Sequence, residues 1–176
     1  ELLSRYGHEE GLLDRLGGGA WQARKARLKQ RIRDIAEKLI RLAAERALRQ
    51  GRVMTPPDGM WDEFCARFPY QETDDQLMAI GDVVDDLTSG APMDRLICGD
   101  VGYGKTEVAM RAMFKSISDN KQVCVLVPTT VLAFQHYTSF KERFKDYSVR
   151  IELLSRFKSN QEQKLLVGDI KQGRID

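Results

Sequence analysis

The longest uninterrupted pattern in the chain is helical. Between the Gly17-Gly18-Gly19 breaker and Gly51, no Gly or Pro occurs from Ala20 to Gln50. Apolar residues recur at Leu28, Ile32, Ile35, Leu39 and Leu42 in 4-3-4-3 steps, with Trp21 ahead of them. Ala36, Ile40, Ala43 and Ala47 widen the stripe. That recurrence places the apolar residues on one helix face. The other faces hold Arg24, Lys25, Arg27, Lys29, Arg31, Arg33, Lys38, Arg41, Arg46 and Arg49. An unbroken helix over these positions would span ~46 Å at ~1.5 Å per residue. A rod of that length is expected to bridge domains. Its basic faces read either as solvated surface or as a nucleic-acid or partner contact, and the sequence leaves both open.

Residues 52–59, with Pro56, Pro57 and Gly59, form a breaker-rich linker. A short helix is predicted over 60–68, ended by Pro69. Thr73 is placed to cap a helix over 74–87, where Asp74 and Asp75 suit the positive end of the helix dipole. From Asp94 the rhythm changes. Apolar runs at 95–98, 122–127 and 149–154 alternate with helical stretches at 105–117, 130–145 and 160–171. In the last run Val149, Ile151 and Leu153 alternate with Arg150 and Glu152. Strand–helix alternation predicts βαβ units and a parallel sheet, hence an α/β fold.

Composition narrows the class. The 176 residues are 42% hydrophobic and 31% charged, as in an ordinary globular domain. No run of ~18 apolar residues occurs, so no membrane partner is expected. The first residues lack the basic start and apolar core of a signal peptide, and there is no initiator Met. Both ends read as cut from a longer protein. Cys65, Cys98 and Cys124 have no metal-ligand spacing, and Cys98 and Cys124, inside apolar runs, are expected to be small core residues. An odd number of cysteines without a signal fits a reducing cytoplasm. His136 has only the distant His8 for company and is not expected to hold a metal. The net charge of +2 is unevenly spread: residues 1–51 hold 12 Lys/Arg against 7 Asp/Glu, residues 52–98 hold 3 against 10, and residues 99–176 hold 13 against 9. The acidic middle would repel DNA, whereas either flank could attract it.

The chemistry concentrates in three places. Gly99-Asp100-Val101-Gly102-Tyr103-Gly104-Lys105-Thr106 fits the P-loop pattern G-x-x-x-x-G-K-[ST], after an apolar run and before a helix. Glycines let successive backbone N–H groups point inward at phosphates, and the helix start adds donors and partial positive charge. Lys105 would neutralise the β- and γ-phosphates, and the Thr106 hydroxyl would ligate Mg²⁺. Upstream, Phe68-Pro69-Tyr70-Gln71-Glu72-Thr73-Asp74-Asp75-Gln76 joins an aromatic to a capped Gln. Such a ring can stack on adenine while the Gln amide reads its N6 and N7 edge, although Phe68 and Tyr70 could equally be core. Downstream, Thr129 and Thr130 open a helix at the end of an apolar run, where hydroxyl and N–H groups can meet a nucleic-acid phosphate. An ordinary helix cap there is compatible with that contact.

These three motifs, in this order, resemble the first RecA-like domain of superfamily 2 helicases and translocases. Met93-Asp94-Arg95-Leu96-Ile97-Cys98 with the P-loop and Glu107-Val108-Ala109-Met110-Arg111-Ala112 is similar to the bacterial transcription-repair coupling factors. The branch-migrating RecG helicases share much of the P-loop and form the alternative. Leu154-Ser155-Arg156-Phe157, Leu16-Gly17-Gly18 with Trp21 and the basic helix, and Leu3-Ser4-Arg5-Tyr6 favour the coupling factors. The resemblance implies an incomplete RecA-like P-loop domain preceded by a long basic connector helix. Residues 1–16 would be the tail of an RNA polymerase-interacting domain and 17–51 the connector. Residues 52–176 would be the front of the translocase domain.

It further implies a DNA-dependent ATPase that uses ATP and Mg²⁺ and moves on double-stranded DNA. Such a protein displaces stalled RNA polymerase and recruits excision repair through UvrA, in the cytoplasm. By motif, Tyr70 and Gln76 would contact adenine, residues 99–106 would hold the phosphates, and Lys105 and Thr106 would be catalytic. Thr129, Thr130, Gln135 and Arg156 would face DNA. Tyr103 departs from the family's more usual Phe. The family's acidic Walker B pair and second motor lobe have no counterpart in the sequence. This chain alone is therefore expected to bind nucleotide weakly and not to turn it over.

Overall fold

The computed structural model describes Leu2–Leu3, Asp14–Arg15 and residues 19–176. It divides into two compact units, 1–49 and 50–176. In the first, β1 (Leu2–Leu3) pairs antiparallel with β2 (Asp14–Arg15), Leu2 opposite Arg15. The long periodic stretch forms α1 (Gly19–Ala47), 29 residues. Along it Leu28, Ile32, Ile35, Leu39 and Leu42 are each 57–61% exposed. The quoted Leu16-Gly17-Gly18 and most of Leu3-Ser4-Arg5-Tyr6 lie outside the described residues. Among the described residues no helix is long and apolar enough to cross a membrane.

The second unit is built on helices α2 (Gly59–Ala66), α3 (Asp74–Thr88), α4 (Lys105–Ser118), α5 (Thr130–Arg143) and α6 (Asn160–Lys171). Local chemistry sets four of the starts. Asp58 accepts from the N–H groups of Met60 and Trp61. Thr73 with Gln76, and Ser159 with Glu162, form reciprocal capping boxes. The Thr129 hydroxyl accepts from Leu132 N–H. The fifth, α4, starts instead from Gly104 with no side-chain cap. Helices α2 and α3 pack on α4. Their shared core is Trp61, Phe64, Ile80, Val83, Val108, Met113 and Phe114, closed by Phe140 and Phe144. Phe64 is fully buried and stacks on Phe114, with centroids 4.2 Å apart.

The linker is fastened to the far ends of α3 and α4. Gly51 N–H donates to Gly90 C=O at 2.8 Å, and Met54 N–H to Leu87 C=O at 3.1 Å. A Cβ on Gly51 would stand 2.7 Å from the Ala91 carbonyl carbon, so only glycine allows this approach. Thr55 then donates its N–H and hydroxyl to the Asp119 carboxylate, at 2.7 and 2.5 Å. The buried Lys115 ammonium bonds both Thr55 and Asp119, at 3.0 and 3.1 Å.

The expected parallel sheet is not shown. The helices between the apolar runs form, but the runs at 95–98, 122–127 and 149–154 carry no strand ladder among the described residues. A parallel ladder needs evenly spaced bonds along two neighbouring strands. Here Asp176 alone bridges the second and third runs. Its carbonyl accepts from Val123 N–H at 3.0 Å, and its N–H donates to Arg150 C=O at 3.1 Å. Its carboxylate, rather than a further carbonyl, takes the Arg150 N–H at 2.7 Å. One residue cannot extend a ladder. The flanks of these runs are consequently bare, with Leu96 85% and Leu126 95% exposed. The same cause overturns the expected burial of Cys98 and Cys124, which are both exposed. Cys65 is the half-buried cysteine, and burial pushes its thiol up.

Candidate nucleotide site

The loop before α4 is shaped by two left-handed glycines, Gly102 at φ +85° and Gly104 at φ +70°. Tyr103 N–H closes the turn on Asp100 C=O at 3.3 Å. Glycine suits the positive φ at 104, and a Cβ there would also meet the Gln76 amide nitrogen at 2.6 Å and push that side chain aside. Lys105 folds back over the loop and donates to the carbonyls of Gly99 and Asp100, at 2.7 and 2.6 Å. A cation thus sits over a glycine cradle at the uncapped start of a 14-residue helix. Bare N–H groups, helix polarity and a fixed ammonium together fit an anionic phosphate chain. Half-buried Thr106 follows, one residue into α4. Among the described residues no cluster of three or more His, Cys, Asp or Glu is placed to hold a metal ion by itself.

The aromatic–Gln segment lies against this loop. Gln76 uses its carbonyl oxygen to accept from Thr73 N–H at 3.0 Å, and its NH₂ to donate to Tyr103 C=O at 3.0 Å. The amide therefore caps α3 and braces the P-loop together, with one N–H and one lone pair still unused by these bonds. The Tyr70 ring is 74% exposed and meets Phe68 edge-on, with centroids 5.5 Å apart. Gln76 is thereby joined to the loop at 99–106, whereas Tyr70 is tied only through Phe68 to Arg111 of α4.

Sequence reasoning missed the charges beneath. Arg111 and Glu107, both buried, bond each other at 3.0 Å across one turn of α4. Arg111 also donates to Glu72 and faces the Phe68 ring at 5.6 Å. Glu107 accepts from Arg143 of α5 at 3.0 Å, and Arg143 donates to Phe64 C=O at 2.8 Å while lying 4.0 Å over the Phe64 ring. The hydrogen bond from Arg111 holds the Glu72 carboxyl below the usual carboxylate range. Burial opposes the charge on Arg111, but the bonds to Glu72 and Glu107 keep it more firmly protonated. The Glu107-x-x-x-Arg111 spacing was the only visible signal, and it reads like any solvated helix pair.

The residues expected to face DNA are less gathered. Thr129 and Thr130 open α5 and line a cavity of about 530 Å³, together with the run at 122–128 and residues 150–155. Gln135 and Arg156 are exposed and lie outside its lining, and the Arg156 guanidinium sits 5.6 Å from the Phe157 ring.

The family model described as DEAD/DEAH box helicase matches residues 73–175. The transcription-repair-coupling factor of Bacillus subtilis (strain 168) is 50% identical over 168 residues, 96% of this chain and 14% of that protein. That of Escherichia coli (strain K12) is 46% identical over 178 residues, 99% of this chain and 16% of that protein. The solved structure of RecG bound to a three-way DNA junction superposes with a TM-score of 0.72 at 31% identity, over 77% of this chain and 19% of that one. The chain spans 14–16% of the length of these curated relatives.

Proposed function

The chain belongs to the DEAD/DEAH box helicase family, and from that premise we propose that residues 52–176 are the ATP-binding front of a superfamily 2 translocase lobe. Residues 17–51 act as its basic connector, and residues 1–16 end an RNA polymerase-interacting domain. In a protein of the relatives' full length, the activity is DNA-dependent ATP hydrolysis driving movement on double-stranded DNA. That movement displaces stalled RNA polymerase and leads, through UvrA, to nucleotide excision repair in the cytoplasm. Identity of 46–50% to coupling factors over nearly the whole chain supports this reading over the RecG-like alternative, which matches at 31% over 77%.

The observation that carries the nucleotide reading is the Lys105 ammonium, held over the glycine cradle by the carbonyls of Gly99 and Asp100. When bound, ATP with Mg²⁺ supplies the phosphoanhydride whose cleavage releases the driving free energy. The backbone N–H groups of residues 99–106 and the start of α4 hold the phosphates by hydrogen bonds and helix polarity. Lys105 exchanges its two carbonyl partners for phosphate oxygens and offsets their charge. The Thr106 hydroxyl is the protein ligand this loop offers to Mg²⁺. Tyr70 stacks on the base, and the unused donor and acceptor of the Gln76 amide read its edge. Thr129, Thr130, Gln135 and Arg156 touch the DNA backbone.

Titration of the chain with a fluorescent ATP analogue tests the reading. The expected result is saturable, magnesium-dependent binding that Lys105→Ala abolishes, without steady-state hydrolysis by the 176 residues. Equal binding by Lys105→Ala would sink the nucleotide site. Sustained turnover would sink the claim that the chain alone is inactive.

A further inference from the structure

We propose that Arg111 and Glu72 position the adenine-gripping segment, setting the preference for ATP over base-free triphosphate without touching nucleotide. The proposal rests on the reading that Tyr70 and Gln76 receive the base.

The segment from Pro69 to Gln76 has two fastenings to the P-loop and the helix that follows it. One is Gln76 to the Tyr103 carbonyl, at the mouth. The other is Glu72 to Arg111, nearly two turns further along α4 from Lys105. Glu72 lies two residues from Tyr70 and four from Gln76, so holding its carboxylate limits where both can move. Phe68, which meets Tyr70 edge-on, is itself faced by the Arg111 guanidinium. A single buried group therefore contacts both the aromatic that supports Tyr70 and the carboxylate that anchors the loop.

The choice of side chain fits this role. Arg111 offers a planar fork with several donors, which can hold Glu72 and Glu107 in fixed directions at once; a lysine ammonium could not reproduce that geometry. Arg143 holds Glu107 from α5, so the fork does not swing freely. Burying Arg111 and Glu107 against the half-buried Arg143 and the partly covered Glu72 is weak evidence of stabilisation, because well-packed apolar groups can do as well. What apolar packing does not supply is directional hold on a surface loop.

The test measures competition by ATP, GTP and inorganic triphosphate for a fluorescent nucleotide on the 176-residue chain. It compares wild type with Glu72→Ala, Glu72→Gln and Arg111→Lys, each checked for fold by its thermal melt. Wild type should bind ATP more tightly than either competitor. Glu72→Ala should lose about fivefold in ATP affinity, the scale of one partly exposed charge-assisted bond, with inorganic triphosphate unchanged. Glu72→Gln, which keeps an acceptor oxygen, should recover part of the loss, and Arg111→Lys should follow Glu72→Ala. Unchanged ATP affinity in Glu72→Ala overturns the proposal, as does an equal fall for ATP and inorganic triphosphate. If wild type binds ATP no more tightly than inorganic triphosphate, the base-contact reading itself fails. Glu72→Ala decides the matter even if Arg111→Lys does not fold.

Discussion

Replacing Gly104 by Ala makes two separable demands on the P-loop. The first is conformational: φ is +70°, where an L side chain costs ~1–2 kcal/mol. The second is steric, because the new Cβ would fall 2.6 Å from the Gln76 amide nitrogen. Moving that amide sacrifices its bond to Tyr103 C=O and disturbs the Thr73 capping box, each worth ~1 kcal/mol at a partly exposed site. The expected total is about 3–4 kcal/mol, measured by urea unfolding. Gly102 supplies the control. Its φ is +85°, but a Cβ there meets nothing within 4 Å, so Gly102→Ala should lose only the conformational part. A double-mutant cycle completes the assay: in a Gln76→Ala background, Gly104→Ala should fall to ~1–2 kcal/mol, because the obstructing amide is gone. If Gly104→Ala costs the same in both backgrounds, or no more than Gly102→Ala, the close approach of Gln76 to the loop is wrong.

Other outcomes follow from the same contacts. Phe64→Ala removes the fully buried ring between Phe114 and Phe144, and should cost ~3–5 kcal/mol in a thermal or urea melt. Acid should weaken residues 50–176. The Glu72 carboxyl is lowered by the bond from Arg111; that of Asp119, despite burial raising it, is lowered by Thr55 and Lys115. Depressed carboxyls contribute fully above the ordinary carboxylate range near ~4 and lose that contribution as pH falls through their folded values. Melts between pH 6 and 3 should show the decline, and Thr55→Val should make its acid limb shallower; an unchanged slope would refute the Asp119 assignment. Thiol titration should show Cys98 and Cys124 reacting quickly and Cys65 slowly, because Cys65 is half-buried with a raised thiol. Three equal rates would contradict the exposure of the first two.

What the sequence disclosed was whatever local chemistry dictates. The helix over Thr73 to Thr88 could be placed because its cap and first turn are written within four residues. The loop at 99–106 could be placed because Gly102 and Gly104 are needed where φ is positive. Strand pairing was not legible in the same way, since an apolar run states what it wants to bury and not which segment will lie beside it. Glu72 and Arg111 are 39 residues apart and Glu107 and Arg143 are 36 apart, so their meeting depends on packing that no local pattern encodes. Gln76 was visible as a capped amide, but its bond to the Tyr103 carbonyl spans 27 residues and emerged only from the fold.

The fastening of residues 51–55 has a mechanical consequence. Its bonds to Gly90, Leu87, Asp119 and Lys115 are spread over two helix ends, so the linker is anchored at several points at once. Two of those partners belong to the far end of the helix that begins with Lys105. A load arriving through the linker would therefore be delivered to one tip of a stiff rod of ~21 Å, at ~1.5 Å per residue, whose other tip carries the glycine loop and Lys105. The linker's anchorage and the Lys105 loop thus share a single strut.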